Sequence, residues 1–214
     1  MNTTEHYIPA MGVHWLTPLY DPLVRGFMRE EVIRNQLILQ ADILPGMKVL
    51  DLGCGTASLT TLIKQSHVMA SVYGLDADLQ ILEIARRKAS HAEVDIQLDQ
   101  GMAYQLPYQT AMFDRVVSSL VFHHLDTHEK QLAMGEVFRV LRPGGKFCLF
   151  DIGQPHSLST RLASQVLRRM ERASDNVYGL LPGMMERAGF QNVVEIERFS
   201  MFMESISLMQ GEKH

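Results

Sequence analysis

A glycine turn beside an acidic residue is the stretch of this sequence best placed to do chemistry. Residues 48–59 pass from an apolar strand pattern through Gly53-Cys54-Gly55 into apolar residues at helical spacing. A strand, a glycine turn and a helix together offer a ligand bare backbone and a helix N-terminus. Asp51 lies in the strand just before the turn, and its carboxylate favours a ligand that carries a cationic group.

The sequence of the turn separates two classes of ligand. A dinucleotide fingerprint needs a third glycine, whereas Ser58 occupies that position here. A carboxylate beside the turn repels a pyrophosphate but suits a ligand with an ammonium and a sulfonium group. The turn therefore favours S-adenosylmethionine over NAD as the bound molecule.

Asp76 is the candidate ribose ligand, because it ends the next apolar run 23 residues after Gly53. The two oxygens of a carboxylate can accept both hydroxyl protons of a ribose, and Ala77 follows directly at the same corner. The alternative role for Asp76 is an N-cap of the helix that follows, which Asp78 would fill equally well.

A third segment of the binding site is expected after the next strand pattern. We expect Gly101, Met102 and Ala103 to contact the adenine, through backbone amides and through Met102 on the face of the ring. Gln100 and Asp99 are the polar candidates for the adenine amino group. The alternative is a turn without ligand contact.

Paired histidines after the fourth strand pattern are the acid–base candidates, since histidine titrates near neutral pH. His123 and His124 are the predicted catalytic residues, with His123 preferred, and the alternative is that a ring nitrogen caps the loop. Just before them, Ser119 and Leu120 are expected to close over the methionine or adenine portion of the ligand.

The flanking segments carry further candidates. Tyr20 could contact the sulfonium or carboxylate of the ligand, or pack against the first helix. Arg25 and Arg29 lie one turn apart and could bind an anionic substrate group, or form a solvated face. Residues 157–172 predict a basic amphipathic helix that covers a hydrophobic substrate or contacts an anionic membrane surface peripherally, with packing on the sheet as the ordinary alternative.

Alternating strand and helix patterns predict the α/β class, with a mostly parallel sheet between helical layers. We expect a single domain over residues 1–214. It would comprise an N-terminal helical cap at 1–42, a cofactor-binding core at 43–152, and lid helices with C-terminal antiparallel strands at 153–214. Ligands of such a sheet bind at the carboxyl ends of its strands.

Composition narrows the class of protein. The 214 residues carry a net charge of −4, which argues against a nucleic-acid partner. Cys54 and Cys148 lack C-x-x-C spacing, so no metal site is expected. The N-terminus has no signal-peptide pattern and no apolar run reaches about 18 residues, so we expect a cytoplasmic protein without an integral membrane segment. A second copy of the chain is a candidate partner, as a homodimer.

Four motifs in order resemble the class I S-adenosylmethionine-dependent methyltransferase superfamily: VLDLGCGT, VYGLDAD, LPYQTAMFDRVVSSLVFHHL and EVFRVLRPGGKF. Tyr20-Asp21, residues 184–190 and residues 210–213 are similar to its ubiquinone/menaquinone C-methyltransferase branch. The resemblance implies a Rossmann-like three-layer sandwich whose seven-stranded, mostly parallel sheet has an antiparallel C-terminal strand.

The resemblance also implies a function: methyl transfer from S-adenosylmethionine to a small, apolar or aromatic acceptor, with release of S-adenosylhomocysteine. Asp51, Gly53, Gly55 and Asp76 carry over by position, whereas Met102 stands where relatives carry an acid. The alternatives are a non-catalytic regulatory protein that binds S-adenosylmethionine or a nucleotide, a lipid-headgroup N-methyltransferase, and an NAD-dependent dehydrogenase.

Overall fold

The computed structural model of the protein describes residues 30–155, 171–201 and 204–214, and a seven-stranded sheet lies at its centre. The strands are β1 (Lys48–Leu52), β2 (Ser71–Asp76), β3 (Gln97–Gln100), β4 (Phe113–Ser119), β5 (Leu141–Ile152), β6 (Gln191–Met201) and β7 (Glu204–Glu212). The helices are α1 (Glu30–Ala41), α2 (Ser58–Ser66), α3 (Leu79–His91), α4 (Thr127–Val140), α5 (Glu171–Val177) and α6 (Leu181–Arg187), with a 3-10 turn at Phe122–His124.

The strand order β3-β2-β1-β4-β5-β7-β6 confirms the predicted fold class. The first five strands pair in parallel, whereas β7 lies between β5 and β6 and runs antiparallel to both. The chain reverses its direction of travel across the sheet between β1 and β4. A crevice therefore opens outside the carboxyl ends of these two strands, where ligands of such sheets bind.

Strand alternation divides the core into two apolar layers, one on each face of the sheet. On β1, Val49 packs with residues of α1 and α2, whereas Leu50 packs on the opposite face with residues of α4 and α6. Polar signals fix where the helices begin: Asp126 and Glu129 form a capping box at the start of α4.

Two element boundaries differ from the sequence-based prediction. The alternation of apolar and polar side chains over residues 94–98 predicts the third strand there. Instead α3 extends to His91, and Glu93 takes a left-handed φ of 52° before pairing with β2 begins at Gln97. The Arg-Pro-Gly-Gly sequence at residues 142–145 predicts a turn before the fifth strand. Instead β5 starts at Leu141, and these residues form a bulge in it because the register with β4 shifts there.

Several predictions fall on residues that the structure does not describe. Tyr20, Arg25 and Arg29 lie outside the described residues, and so do residues 157–170 of the predicted basic helix, whose last two residues belong to α5. The division into cap, core and lid stays a prediction. Within the described residues, none of the helices combines the length and apolar character needed to cross a membrane.

Candidate functional site

The glycine turn is fastened to the end of the neighbouring strand by its own backbone. The N–H groups of Gly53 and Cys54 donate to the carbonyl oxygen of Leu75, at 2.8 and 2.9 Å. Gly53 and Gly55 both have left-handed φ angles, of +74° and +54°. The turn therefore needs glycine for its backbone path, and it holds the carboxyl ends of β1 and β2 together.

The two glycines differ in what surrounds them. A Cβ atom at Gly53 would lie 2.3 Å from Cγ2 of Val121, in the loop after β4. A Cβ atom at Gly55 would have no described heavy atom within 4 Å. Gly53 thus lets the β4 loop close against the turn, whereas Gly55 presents bare backbone to open space in the crevice.

Asp76 lies at this opening, on the end of β2. Its Oδ2 accepts the N–H of Gly55 at 2.9 Å, and its Oδ1 accepts the N–H of Asp78 at 3.0 Å. Burial raises the pKa of Asp76, while these two N–H groups oppose the shift. The N-cap of α3 is Asp78, which accepts from the N–H groups of Gln80 and Ile81, so Asp76 does not fill that role.

Asp51 lies inside the protein beneath the turn. Its side chain is buried, and its Oδ2 accepts a hydrogen bond of 2.6 Å from the hydroxyl of Thr60, on α2. Burial raises the pKa of Asp51 to about 7, although the Thr60 hydrogen bond acts in the opposite direction. A cation bound nearby would stabilise the ionised form, so this carboxyl is suited to a positively charged ligand.

The raised pKa of Asp51 makes a pH-dependent prediction. A carboxyl that holds its proton more tightly in the folded than in the unfolded chain costs stability as the pH rises between the two pKa values, here about 3.8 and about 7. We expect Asp51→Asn to remove this loss. The free energy of unfolding of the variant relative to the unsubstituted protein should therefore rise by on the order of 2 kcal/mol between pH 5 and pH 8.

Urea denaturation at the two pH values measures this difference. The matched control is Asp42→Asn, because the Asp42 side chain is 65% exposed and asparagine tolerates its left-handed φ of 49°. The control should show a much smaller pH-dependent difference. Equal differences for the two variants would contradict the assigned role of burial.

Cys54, in the centre of the turn, is a buried thiol rather than a nucleophile. Burial raises its pKa well above the ordinary value, and the charges of Asp51 and Asp76 act in the same direction. Its sulfur lies where a Cβ atom on Gly74 would approach to 2.9 Å. Cys54 therefore contributes packing between the turn and β2.

The predicted adenine segment lies next to Asp76. Gln100 pairs with Asp76 in the β2–β3 register, and its Nε2 donates to the carbonyl of Ala77 at 3.1 Å. Asp99 is engaged on the other side, where its Oδ2 accepts from the hydroxyl of Tyr108 at 3.0 Å. Of the two polar candidates, Gln100 thus lies at the corner that carries the proposed ribose ligand.

Gly101 and Met102 continue from this corner. The N–H of Gly101 donates to the carbonyl of Asp76 at 3.0 Å, and Met102 forms an isolated bridge with Gln105. Met102 and Ala103 are partly buried, and Ala103 packs against the core cluster under β1 and β4. A role for these residues in holding adenine stays a prediction.

The β4 loop brings its predicted residues to the opposite side of the crevice. Ser119 ends β4, and Leu120 follows with a left-handed φ of +58° while its N–H donates to the carbonyl of Phe150 at 2.8 Å. Val121 then contacts the glycine turn, and the 3-10 turn follows at once. Contacts of Ser119 and Leu120 with a ligand stay predictions.

The two histidines of the 3-10 turn have different surroundings. Nδ1 of His123 lies 2.9 Å from Oδ1 of Asp151, whose side chain is fully buried, and the His123 side chain is 19% exposed. His124 is exposed, and the centre of its ring lies 4.0 Å from that of His123. The structure therefore gives a buried carboxylate partner to His123.

Asp151 is the site residue that the sequence analysis missed. It ends the apolar run of β5, as Asp76 ends that of β2, so the same signal could have identified it. Burial alone would raise the pKa of Asp151, but its interactions with His123 and with the N–H groups of Ile152 and Phe122 outweigh burial and hold the pKa below its ordinary value.

Two further features of the described residues concern positive charge and metal binding near the site. Lys88, near the end of α3, donates to the hydroxyls of Thr56 and Ser58 at 2.9 and 2.6 Å, so a cation lies at the start of α2. In the described part of the chain, no group of three histidine, cysteine, aspartate or glutamate side chains could hold a metal ion.

Part of the chain that carries this site is similar to a known protein family. Residues 49–145, from the start of β1 to the bulge of β5, match the family model of the methyltransferase domain. Over this range the chain is similar to the methyltransferase domain family. The matched range covers the glycine turn, the Asp76 corner and both histidines, and it confirms the resemblance to class I methyltransferases.

Relatives carry the same domain. The chain is 34% identical over 142 residues to a demethylmenaquinone methyltransferase of Thermus thermophilus, which covers 65% of this chain and 64% of that protein. The chain thus spans less than two thirds of the length of this curated relative. Other relatives with the same name confirm the second resemblance, to the menaquinone branch.

Solved structures share the fold of the methyltransferase domain. The YcgJ protein of Bacillus subtilis superposes with a TM-score of 0.70 at 19% identity, over 85% of this chain and 97% of that one. The phosphoethanolamine N-methyltransferase 2 of Haemonchus contortus, solved in complex with S-adenosyl-L-methionine, superposes with a TM-score of 0.69 at 16% identity. It covers 84% of this chain and 52% of the other.

Proposed function

We propose that the protein transfers a methyl group from S-adenosylmethionine to a small, apolar or aromatic acceptor. The observation that carries the proposal is the open backbone at Gly55, with Asp51 beneath the turn and Asp76 beside it. Open space over bare backbone admits a ligand. The two carboxyl groups suit a ligand that carries an ammonium and a ribose.

Residues in and around the turn would each contact a different part of this donor. Asp51 would attract its cationic amino acid end, Asp76 would accept its ribose hydroxyl protons, and Gln100 would lie nearest its base. The bound donor supplies an electrophilic methyl group on a sulfonium, which is already a good leaving group. The protein's task is therefore mainly to align the acceptor, for which positioning can supply up to about 7–11 kcal/mol.

The names of the relatives support an acceptor of one chemical kind. Those named demethylmenaquinone methyltransferases act, by their names, on a ring that carries two oxygens and an apolar tail. We propose the reduced form of such a ring as the acceptor, because its hydroxyl groups make the ring electron-rich enough to attack a methyl group. The apolar and aromatic class predicted from the sequence includes it.

Two measurements test the proposal. S-adenosylhomocysteine should raise the melting temperature of the protein, and NADH should not. The protein should also transfer label from methyl-labelled S-adenosylmethionine to a short-chain demethylmenaquinol, and not to phosphoethanolamine. Stabilisation by NADH alone would favour a dehydrogenase, label on phosphoethanolamine would favour a headgroup N-methyltransferase, and binding without transfer to any acceptor in a cell extract would favour a regulatory protein.

Asp76→Ala is expected to weaken the binding of S-adenosylhomocysteine by about 1–3 kcal/mol, or roughly 5- to 150-fold, because it leaves donor groups without their acceptor. Isothermal titration calorimetry measures the change. The matched control is Asp78→Asn, which removes a charge two residues away and keeps an N-cap side chain on α3. Equal losses in the two variants would show that the carboxylate of Asp76 has no special contact with the ligand.

A further inference from the structure

A buried carboxylate fixes the orientation of His123. Both oxygens of Asp151 are occupied by donors: Oδ2 accepts the N–H groups of Val121 and Phe122, at 3.0 and 2.7 Å. Its Oδ1 accepts the N–H of Ile152 at 2.8 Å and lies 2.9 Å from Nδ1 of His123. An ionised carboxylate only accepts hydrogen bonds, so the histidine proton lies on Nδ1. In the neutral ring, Nε2 is then left with its lone pair.

His123 lies close in sequence to the residue that contacts the glycine turn. Val121, two residues earlier, is the side chain that lies against Gly53 of the glycine turn. His123 therefore follows the point where the β4 loop meets the turn, at the carboxyl end of β4. The His123 side chain is partly exposed here, whereas the Asp151 side chain is fully buried.

Asn176 holds the same carboxylate from a separate helix. On α5, its Nδ2 donates to Oδ1 of Asp151 at 3.0 Å. The side chain is fully buried, and its own Oδ1 has no hydrogen-bond partner among the described residues. A buried amide with one unmet acceptor is a poor choice for stability alone, because an apolar side chain of the same shape would cost less. What Asn176 does make is the bond to Asp151.

The neighbouring residue fastens α5 to α4. Asp175 accepts from the hydroxyl of Thr127 at 2.7 Å and from the ammonium of Lys130 at 3.3 Å. Lys130 is fully buried, so this contact fixes the position of α5 closely. Asp175 thus joins α5 to α4 one residue before Asn176.

We propose that His123 is the general base of methyl transfer, taking a proton on Nε2, and that Asp151 and Asn176 are positioning residues that fix its tautomer and orientation. This rests on the proposed function. It adds that the acceptor's nucleophile carries a proton which must leave during the transfer.

The reaction balances with one proton released per turnover. The hydroxyl proton of the acceptor passes to Nε2 of His123, and the freed electron pair makes the hydroxyl oxygen, or the ring carbon conjugated with it, nucleophilic. A new bond forms from that atom to the methyl carbon, the carbon–sulfur bond breaks, and its electron pair stays on sulfur. If a ring carbon is methylated, its hydrogen leaves as a proton while the hydroxyl regains one, and the net release is unchanged.

Three variants test the assignment, each measured for stability, for S-adenosylhomocysteine binding and for kcat with the demethylmenaquinol probe. His123→Gln should lose about 10²- to 10⁴-fold in kcat, the range for loss of a general base, with binding unchanged. Asn176→Leu should lower kcat on the order of tenfold while its free energy of unfolding stays equal or rises. The matched control is His128→Gln, on the exposed first turn of α4. It should keep both kcat and the free energy of unfolding.

A spectroscopic measurement on the protein alone gives a second readout. Proton–nitrogen NMR should show an Nδ1–H of His123 shifted downfield by its carboxylate partner, absent in His123→Gln and altered in Asn176→Leu. A purely structural role predicts instead that Asn176→Leu loses stability and keeps kcat. Loss of stability with unchanged kcat in Asn176→Leu would overturn the proposal. So would a proton found on Nε2 of His123, or full kcat in His123→Gln. If the probe is not methylated, the NMR and unfolding results decide it.

Failure of the proposal is distinguishable from failure of the proposed function. If S-adenosylhomocysteine does not bind the unsubstituted protein, the proposed function fails. If the ligand binds, the unsubstituted protein methylates the probe and His123→Gln keeps its rate, only the assignment of the base fails.

Discussion

Replacing Asp151 with alanine is expected to lower the free energy of unfolding by about 3–5 kcal/mol, a large part of the roughly 5–15 kcal/mol of a typical domain. The carboxylate accepts hydrogen bonds from three backbone N–H groups, from His123 and from Asn176. Removing it leaves these buried donors without an acceptor. Because the pKa of Asp151 lies below its ordinary value, this contribution is present at neutral pH and is lost as the pH falls through that lowered pKa.

Urea denaturation followed by circular dichroism measures the loss, and Asp114→Ala is the matched control. Asp114 accepts from the N–H of Lys48 and from Arg142, but its side chain is 20% exposed, so water can replace it. The control should cost only about 1 kcal/mol. Similar losses in the two variants would mean that burial of the Asp151 carboxylate is not what makes it important.

The second large effect is expected at Gly53. Gly53→Ala should destabilise the fold by roughly 2–4 kcal/mol, as the sum of left-handed backbone strain and overpacking. The new Cβ would lie 2.3 Å from Cγ2 of Val121. Val121 cannot easily retreat, because its N–H is held by Asp151 at 3.0 Å. Thermal unfolding of the variant measures the effect, and Val121→Ala in the same chain should restore the part that comes from the collision.

Gly55→Ala is the natural partner of this experiment. The backbone strain is similar, since φ is +54°, but no described atom lies within 4 Å of the new Cβ. We expect a loss of only about 1–2 kcal/mol in stability, the cost of a left-handed backbone at alanine, because no overpacking adds to it. Binding of S-adenosylhomocysteine should instead fall at least about tenfold, as the methyl group occupies the open space. Unchanged binding would argue that no ligand approaches this backbone.

Much of the sheet could be predicted because several strands are short apolar runs that end at a glycine or a polar residue. Apolar patterns at residues 49–52, 71–75 and 113–120 predict β1, β2 and β4 close to their observed bounds. Strand patterns at residues 192–199 and 205–209, joined by a short connection, predict the antiparallel β6–β7 pair. The start of β3 could not be placed in this way. Its residues are half-exposed, so pairing with β2 decides where the strand begins rather than any apolar pattern.

The candidate site was predicted in part for a similar reason. Local sequence patterns predict Gly53, Asp76 and His123: a glycine turn, the end of an apolar strand and a pair of adjacent histidines. Asp151 also ends an apolar strand, but its pairing with His123 and Asn176 depends on contacts across the fold. In sequence, 28 residues separate His123 from Asp151, and 25 separate Asp151 from Asn176. Contacts at that separation depend on how β5 and α5 pack, which no local pattern contains.

The insertion of β7 between β5 and β6 has a consequence for synthesis on the ribosome. Strand β6 leaves the tunnel before β7, yet it has no place at the sheet's edge until β7 has paired with β5. Until β7 pairs, the edge of β5 and the unpaired β6 are both exposed. Either one can then pair with a strand of another chain. Chaperone dependence should therefore be greatest between the emergence of β6 and the emergence of β7.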